Sequence, residues 1–266
     1  SKKLIMSKLA GPGFLGLYNK GESLARMPGA IAMPAVMQPM FRALSTIQDD
    51  LDQTKYLYYR VITLLGAYLF PVYCGIWWVA EPFIGFIYGD NWLPAAEPLR
   101  ILILSVILLT VYIPSCRLLE AQNRMTRLMF ANFTVLPIVI FVTYLGLNWG
   151  LAGVAWGLLG AGVFSASLVY YFAYQLLPTR IGDLVGALMP GLLLGGLVFA
   201  MLASVHFSIE RMQVTNPALY LCIMSLSGAM AYAAAFLFIP IPALRTEAAR
   251  WRGILATYRF RNSSLH

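Results

Sequence analysis

Charged side chains are scarce in this chain of 266 residues. They make up 11% of it, whereas soluble globular proteins contain about 25%. Apolar residues reach 60%, and the mean hydropathy is +0.73. So few charges cannot cover a water-soluble body of this size, which excludes an ordinary soluble domain and indicates a membrane protein.

Metal-binding and disulfide-forming residues are also few. The three cysteines (Cys74, Cys116 and Cys222) lie in apolar stretches at separations that match no metal-ligand spacing, and we interpret them as buried small side chains. His206 ends an apolar stretch and has no evident carboxylate or nucleophile at helical spacing to activate, so we interpret it as an interfacial packing residue. We therefore expect neither a metal ion nor a cofactor.

Common catalytic motifs are missing as well. The sequence contains no H-E-x-x-H, no nucleophile elbow and no P-loop. Its one acidic cluster, Asp49, Asp50 and Asp52, would suit Mg²⁺ and a sugar-nucleotide pyrophosphate in a membrane-bound sugar-transfer enzyme. We favour a solvated turn in which an aspartate caps the next helix, so the protein is predicted not to be an enzyme.

The excess of basic residues has a different meaning. The formal net charge is +8, but the 19 basic residues are scattered between apolar tracts and form no basic face. This distribution argues against nucleic acid as a partner. Membrane lipids and anionic lipid-linked substrates are the expected acidic partners.

Uncharged runs show where the chain crosses the membrane, because a helix needs about 20 apolar residues to do so. The spacing of charges predicts an all-α, polytopic bundle with about seven transmembrane helices. The predicted helices cover residues 22–44, 57–80, 98–121, 128–146, 151–176, 185–206 and 217–239.

The distribution of Lys and Arg predicts the orientation, since short cytoplasmic loops are rich in them. One side collects twelve basic residues and the loops after residue 80 on the other side collect two, Arg100 and Arg211. The twelve are Arg42, Lys55, Arg60, Arg117, Arg124, Arg127, Arg180, Arg245, Arg250, Arg252, Arg259 and Arg261. We place these on the cytoplasmic side and interpret residues 241–266 as a basic amphipathic tail on that leaflet.

Prolines and small residues indicate how the helices pack. Seven prolines fall in or near predicted spans, where they break backbone hydrogen bonds and either let the bundle bend around a cavity or are merely structural, since proline is common in transmembrane helices. They are Pro28, Pro34, Pro39, Pro71, Pro114, Pro137 and Pro190. Small residues at 150, 153, 157, 160, 161 and 165 predict close helix packing.

The most suggestive polar residues lie near the start of the chain. Glu22 and Arg26 are four residues apart, so on a helix they share a face and can pair. Lys2, Lys3 and Lys8 precede them in what we interpret as the end of a truncated helix and a turn, residues 1–21. Cations in a membrane usually face a bundle interior or a wet cavity, although snorkelling to the surface is the alternative.

Four segments of the sequence resemble a known group of transporters. Gly11-Pro12 leads into Leu15-Gly16-Leu17-Tyr18-Asn19-Lys20, and the following helix ends at residues 40–50 with MFRALSTIQDD. FIYGDNW at 86–92 and LEAQNR at 119–124 are further matches. The pattern resembles the bacterial polysaccharide flippases of the multidrug/oligosaccharidyl-lipid/polysaccharide exporter superfamily, and the order of loops, turns and spans agrees from residue 9 to about 240.

This resemblance implies a fold, a location and a cargo. The chain would be the C-terminal lobe of a two-lobe flippase in the bacterial inner membrane, with residues 22–240 as its helical bundle. The cargo would be an oligosaccharide on undecaprenyl pyrophosphate, moved by alternating access, with polymerase and glycosyltransferases as possible partners. By position Lys2, Lys3 and Arg26 would meet the diphosphate, and Lys8 and Glu22 complete the predicted substrate-binding set.

A multidrug exporter of the same superfamily is the main alternative. Such a protein would need an intramembrane carboxylate to couple H⁺ or Na⁺ movement to transport. Glu22 is the one candidate for this carboxylate, and it stands at the end of its predicted span. The sequence leaves the sugar and the coupling ion undetermined.

Overall fold

The fold is known from a computed structural model, which describes residues 2–47, 50–212 and 216–238 and the single residues 244 and 249, but not the side chains of residues 2–5 and 9. Within this part the chain is helical and contains no strand. The helices are α1 (Lys2–Thr46), α2 (Leu51–Tyr88), α3 (Ala96–Ile103), α4 (Ser105–Ala121), α5 (Met125–Gly146), α6 (Gly150–Tyr174), α7 (Ile181–Arg211) and α8 (Pro217–Phe238). Short 3₁₀ turns lie at Asp90–Ala95 and Leu147–Trp149.

The first helix begins earlier than the sequence predicted. We expected a turn before a helix starting at Glu22, but α1 is helical from Lys2 and is broken once, at Gly11, with φ 88° and ψ 167°. Glycine tolerates a positive φ, and Pro12 directly after it has a φ suited to restarting a helix. The turn is therefore confined to Gly11. The division of the chain into three parts stays a prediction, and residues 241–266 lie outside the described residues apart from 244 and 249.

Several helices are long and apolar enough to cross a membrane. The criterion of length and composition selects 51–88, 125–174, 181–211 and 217–238 among the described residues, and the bent pair 90–103 and 105–121, at 49°, makes a fifth. The stretch 125–174 contains both α5 and α6, which pack against each other and are each long enough to cross. With α1 included, the bundle contains the seven predicted helical segments, and the chain is a multi-pass membrane protein.

Polar contacts bring the predicted basic loops to one end of the bundle. Lys55 Nζ at the start of α2 lies 2.7 Å from Asp183 Oδ2 at the start of α7. Arg127 at the start of α5 donates to Gln175 Oε1 after α6, at 3.2 Å. We call this the basic end. Its assignment to the cytoplasm remains a prediction.

The opposite end, here called the far end, is also held by polar contacts. Tyr220 OH of α8 lies 3.0 Å from His206 Nδ1 of α7, and His206 Nε2 lies 3.4 Å from Glu210 Oε1. The prediction that His206 lacks a carboxylate at helical spacing was wrong, because Glu210 follows it by four residues on the same face of α7. His206 also contacts Trp78 of α2, with ring centroids 4.9 Å apart.

Helix α2 occupies the centre of the bundle and contacts α1, α4, α7 and α8. Its first turn is capped as predicted, because the Asp50 carboxylate accepts hydrogen bonds from the backbone N–H groups of Asp52 and Gln53 at 3.1 and 3.0 Å. Deeper in the bundle, Tyr58 OH lies 2.7 Å from Ser115 Oγ of α4, so two buried hydroxyls satisfy each other.

The cysteines are free thiols, and none of them is fully buried as the sequence analysis expected. Cys74 and Cys116 are half-buried within the bundle. Cys222 is exposed on α8, which corrects the prediction. The reason is that an apolar side chain on the outer face of a transmembrane helix is covered by lipid and needs no protein neighbour.

Helices α5 and α6 form a hairpin that depends on glycine. A Cβ on Gly153 would overlap the carbonyl oxygen of Gly146, and one on Gly157 would lie 3.0 Å from the carbonyl oxygen of Val142. Gly150 has a φ of +71°, which suits the turn between the helices. The predicted small-residue packing is confirmed at 153 and 157, whereas Gly160 faces open space.

Alanine substitutions in α6 should distinguish a glycine that contacts the backbone of α5 from one that faces open space. Gly153→Ala places a methyl group against the Gly146 backbone, so we expect a loss of about 1–3 kcal/mol in unfolding free energy. Gly160→Ala on the same helix meets no atom within 4 Å and should be neutral or slightly stabilising. Unfolding in detergent titrated with SDS measures both variants, and equal losses would contradict the role of the close contact.

Candidate functional site: a groove along the first helix

Glu22 and Arg26 form the ion pair that their spacing predicted. Arg26 Nη2 lies 2.9 Å from Glu22 Oε1, one helical turn apart on α1. The Glu22 side chain is only 10% exposed, whereas that of Arg26 is 71% exposed. The carboxylate therefore points into the bundle and the guanidinium projects outward, where a ligand can reach it.

A cavity of about 610 Å³ extends from Arg26 along α1. Helices α2 and α4 form its other wall through Tyr73 and Arg117. The residues that α1 contributes recur at intervals of one, three or four, as expected when one side of a helix lines a groove. They are Arg26, Gly29, Ala30, Met33, Pro34, Met37, Gln38, Phe41 and Arg42.

Cations lie at both ends of this groove. Arg26 is at one end, and Arg42 is 16 residues further along α1, about 24 Å away at the helical rise. Arg117 of α4 also lines the cavity and pairs with Glu120 at 2.6 Å. The groove thus runs along most of the thickness of a hydrocarbon core, with positive groups at its two ends and apolar and amide side chains between them.

A second cavity, of about 380 Å³, adjoins the first. Both are lined by Arg26, Tyr73 and Leu109, and the second one also reaches Glu22. Ser105 of α4 is among its polar lining residues. Together the two cavities make one continuous groove, which we call the α1 groove.

The backbone of α1 is adapted to this groove. Gly29 N donates a hydrogen bond to Tyr73 OH of α2 at 3.2 Å, directly after Pro28. Tyr73 therefore fixes α1 against α2 at the point where both cavities meet. Of the four prolines inside α1, Pro34 lines the cavity, in agreement with the predicted association of prolines with a cavity.

The other predicted site residues lie outside this groove or outside the described side chains. Nothing is described of the Lys2 and Lys3 side chains, so their predicted role stays a prediction. Lys8 is exposed and lines neither cavity. Lys20, which also lines neither cavity, has its Nζ 3.8 Å from the centroid of the Tyr88 ring, and this contact ties α1 to the far end of α2.

Sequence reasoning missed Gln38, Arg42 and Arg117. Arg42 and Arg117 were counted among the basic loops, although the helical spacing of Pro34, Gln38 and Arg42 indicates a common face of α1. Arg117 gave no such signal, because it reaches the groove from another helix. Asp50, one of the three carboxylates that a sugar-transfer enzyme would use, instead caps α2, and Asp49 lies outside the described residues.

An all-helical, multi-pass bundle with a charged groove open on one side has the architecture of a membrane transporter. Comparisons with known proteins agree with this class. The family described as "Polysaccharide biosynthesis protein" matches residues 1–97. The solved structure titled "Lipid II flippase MurJ, inward closed conformation" has the same fold, with a TM-score of 0.65 and 16% identity, over 91% of this chain and 48% of that one.

Two curated relatives are similar in sequence. One is the "Uncharacterized membrane protein in cps region" of Klebsiella pneumoniae, 28% identical over 169 residues, which cover 63% of this chain and 35% of the relative. The other is the "Lipopolysaccharide biosynthesis protein WzxC" of Escherichia coli K12, 26% identical over 172 residues, 63% and 34% of the two chains. The aligned part is thus about a third of the length of these relatives. Taken together, these matches confirm the predicted resemblance to the polysaccharide flippases of the multidrug/oligosaccharidyl-lipid/polysaccharide exporter superfamily.

Proposed function

We propose that this chain contributes one lobe to a flippase that moves an oligosaccharide on undecaprenyl pyrophosphate from the cytoplasmic to the outer leaflet of the bacterial inner membrane. The α1 groove is the observation that supports this proposal most directly. It offers cations to a diphosphate and opens on the side of the bundle, so that a polyprenyl tail can remain in lipid.

The cations of the groove suit a diphosphate. Holding a guanidinium at membrane depth costs about 2.5–3.5 kcal/mol on insertion scales, so such groups are placed where they bind or line water. Arginine presents several N–H groups in a planar fork that matches the oxygens of phosphate. Arg26 and Arg42 are exposed in the cavity, so their guanidinium groups can present this fork to a phosphate. Glu22 holds the Arg26 side chain in place.

Transport by alternating access requires a second wall. The α1 groove is bounded by α1, α2 and α4, and in its second cavity also by α5 and α6, and it is open on its remaining side. A second bundle placed there would let the groove face each leaflet in turn as the two bundles rock. The chain by itself should bind the carrier lipid without moving it, and a glycosyltransferase and a polymerase would supply and consume the cargo.

Binding of the carrier lipid tests the proposal. The chain in nanodiscs should bind undecaprenyl pyrophosphate at least about tenfold more tightly than undecaprenol, because a charge-assisted hydrogen bond contributes about 1.5–3 kcal/mol. Microscale thermophoresis with labelled nanodiscs gives both affinities. Equal affinity for the two lipids would overturn the diphosphate as the recognised group.

The buried carboxylate of Glu22 gives the multidrug alternative its one specific support. If Glu22 couples H⁺ or Na⁺ to drug efflux, Glu22→Gln should abolish efflux by a transporter containing this chain. If Glu22 positions Arg26, as we propose, Glu22→Gln should weaken carrier-lipid binding by about tenfold or less, since one ion pair is lost. Efflux of a cationic dye and carrier-lipid binding, measured on the same variant, distinguish the two.

A further inference from the structure

A separate cavity of about 680 Å³ opens at the far end of the bundle. It lies between the ends of α2, α3, α7 and α8, and none of its lining residues belongs to the α1 groove. The size is within the range of ligand-binding pockets, about 300–1,000 Å³. We call it the far-end cavity.

Aromatic rings form one wall of this cavity. Trp77 and Trp78 stand nearly perpendicular, at 83°, with their centroids 5.2 Å apart. His206 lies 4.9 Å from Trp78, and Tyr220 adds a third aromatic side chain through its contact with His206. The rings are half-buried, so part of each remains available to a ligand.

One polar atom of this wall has no partner in the described part of the chain. The indole Nε1 of Trp78 is buried and makes no hydrogen bond there. A buried N–H without an acceptor costs about 1–3 kcal/mol. Because this atom is covered, a ligand hydroxyl in the cavity would accept its hydrogen bond only after a rotation of the indole ring.

The charges of the cavity argue against an anionic ligand. Glu81 and Asp90 contribute two carboxylates and Arg100 contributes one guanidinium, so the lining has a formal charge of −1 with His206 neutral. Arg100 is already engaged, since its Nη2 lies 3.3 Å from Glu81 Oε2 and its Nε donates to the carbonyl oxygen of Trp77 at 3.4 Å. A phosphate would meet a net negative site.

We propose that the far-end cavity binds a neutral saccharide. The apolar face of a pyranose ring would stack on Trp77 or Trp78, as apolar groups do on aromatic rings. Its hydroxyls would donate to the carboxylates of Glu81 and Asp90. This site is distinct from the α1 groove and does not depend on the proposed translocation, because saccharide binding can be measured with no carrier lipid present.

The experiment is saturation-transfer NMR with the full chain in detergent micelles. The observed probes are maltotriose and the trimer of N-acetylglucosamine; inorganic pyrophosphate, which has no carbon-bound protons to observe, is added as a competitor. We expect saturable binding of at least one trisaccharide, with a dissociation constant in the millimolar range, and no displacement of it by pyrophosphate. Absence of saturable binding of both trisaccharides would overturn the proposal and leave the rings as interfacial anchors.

Variants locate the binding. Trp78→Ala and Asp90→Asn should each weaken it at least about fivefold; Asp90 is exposed, so its variant does not endanger folding. Trp149→Ala is the matched control, because Trp149 is 70% exposed at the same end but lines none of the cavity. Equal losses in the three variants, or a loss in none, would place the saccharide elsewhere and contradict the proposal.

Discussion

Replacing Arg26 and Arg42 together by glutamine should abolish polysaccharide export by a flippase containing this chain. The two guanidinium groups line the α1 groove about 24 Å apart along α1, and no other described arginine besides Arg117 lines it. A diphosphate is too short to contact both groups at once, so each position loses a charge-assisted hydrogen bond of about 1.5–3 kcal/mol, and binding at each position should weaken by about tenfold or more. Surface polysaccharide, measured in cells whose only gene copy carries the change, gives the result.

Two further variants make this experiment specific. Arg42→Gln with Arg117→Gln leaves the Glu22–Arg26 pair intact, so a loss of export there cannot be ascribed to the buried carboxylate of Glu22. Arg124→Gln with Arg211→Gln removes the same charge from exposed positions outside both cavities and should leave export nearly unchanged. If export survives both in the double variant of Arg26 and Arg42 and in that of Arg42 and Arg117, the proposed role of the α1 groove is refuted.

Alanine at Gly191 should destabilise the bundle more than alanine at any other glycine in α7. A Cβ on Gly191 would lie 2.5 Å from the carbonyl carbon of Gly66, where α7 crosses α2. Backbone cannot move aside like a flexible side chain, so the helices must separate along their contact. We expect a loss of about 1–3 kcal/mol, which exceeds the gain of about 1 kcal/mol in helix propensity.

Gly66, which Gly191 contacts, and Gly196, which lies further along α7, provide controls. A Cβ on Gly66 would lie at ordinary contact distance, 3.5 Å from the nearest Phe70 ring atom and 3.7 Å from Gly191 Cα. Gly196→Ala meets no atom within 4 Å. SDS-driven unfolding should therefore rank Gly191→Ala as the only strongly destabilised variant of the three. Similar stabilities for all three would show that the crossing can relax.

Sequence reasoning succeeded where a pattern is local. The spacing of charges predicted the helical segments, and the four-residue separation predicted the Glu22–Arg26 pair. A cap by one of the clustered aspartates was predicted, because the preferred N-cap residues bond their own first turn, and Asp50 provides it. These features depend on residues within one or two helical turns, so a single stretch of sequence contains all the information.

Prediction from the sequence failed where two distant segments meet or where local signals compete. The start of α1 was misplaced because Gly11 and Pro12 indicate a turn, although the helix resumes at once. The link between His206 and Tyr220 spans two helices, and the pairing of His206 with Glu210, four residues further along α7, was not predicted. Arg117 was assigned to a loop because its approach to the groove depends on how α4 packs against α1.

The sequence by itself determined that this protein lies in a membrane as a bundle of helices, because length and hydropathy act on each segment independently of its neighbours. Tertiary structure decided which charges face a common groove and which merely cover an end of the bundle. The physical reason is that a groove exists only between helices. Its lining depends on crossing points such as Gly66–Gly191, where small side chains set how closely two backbones approach.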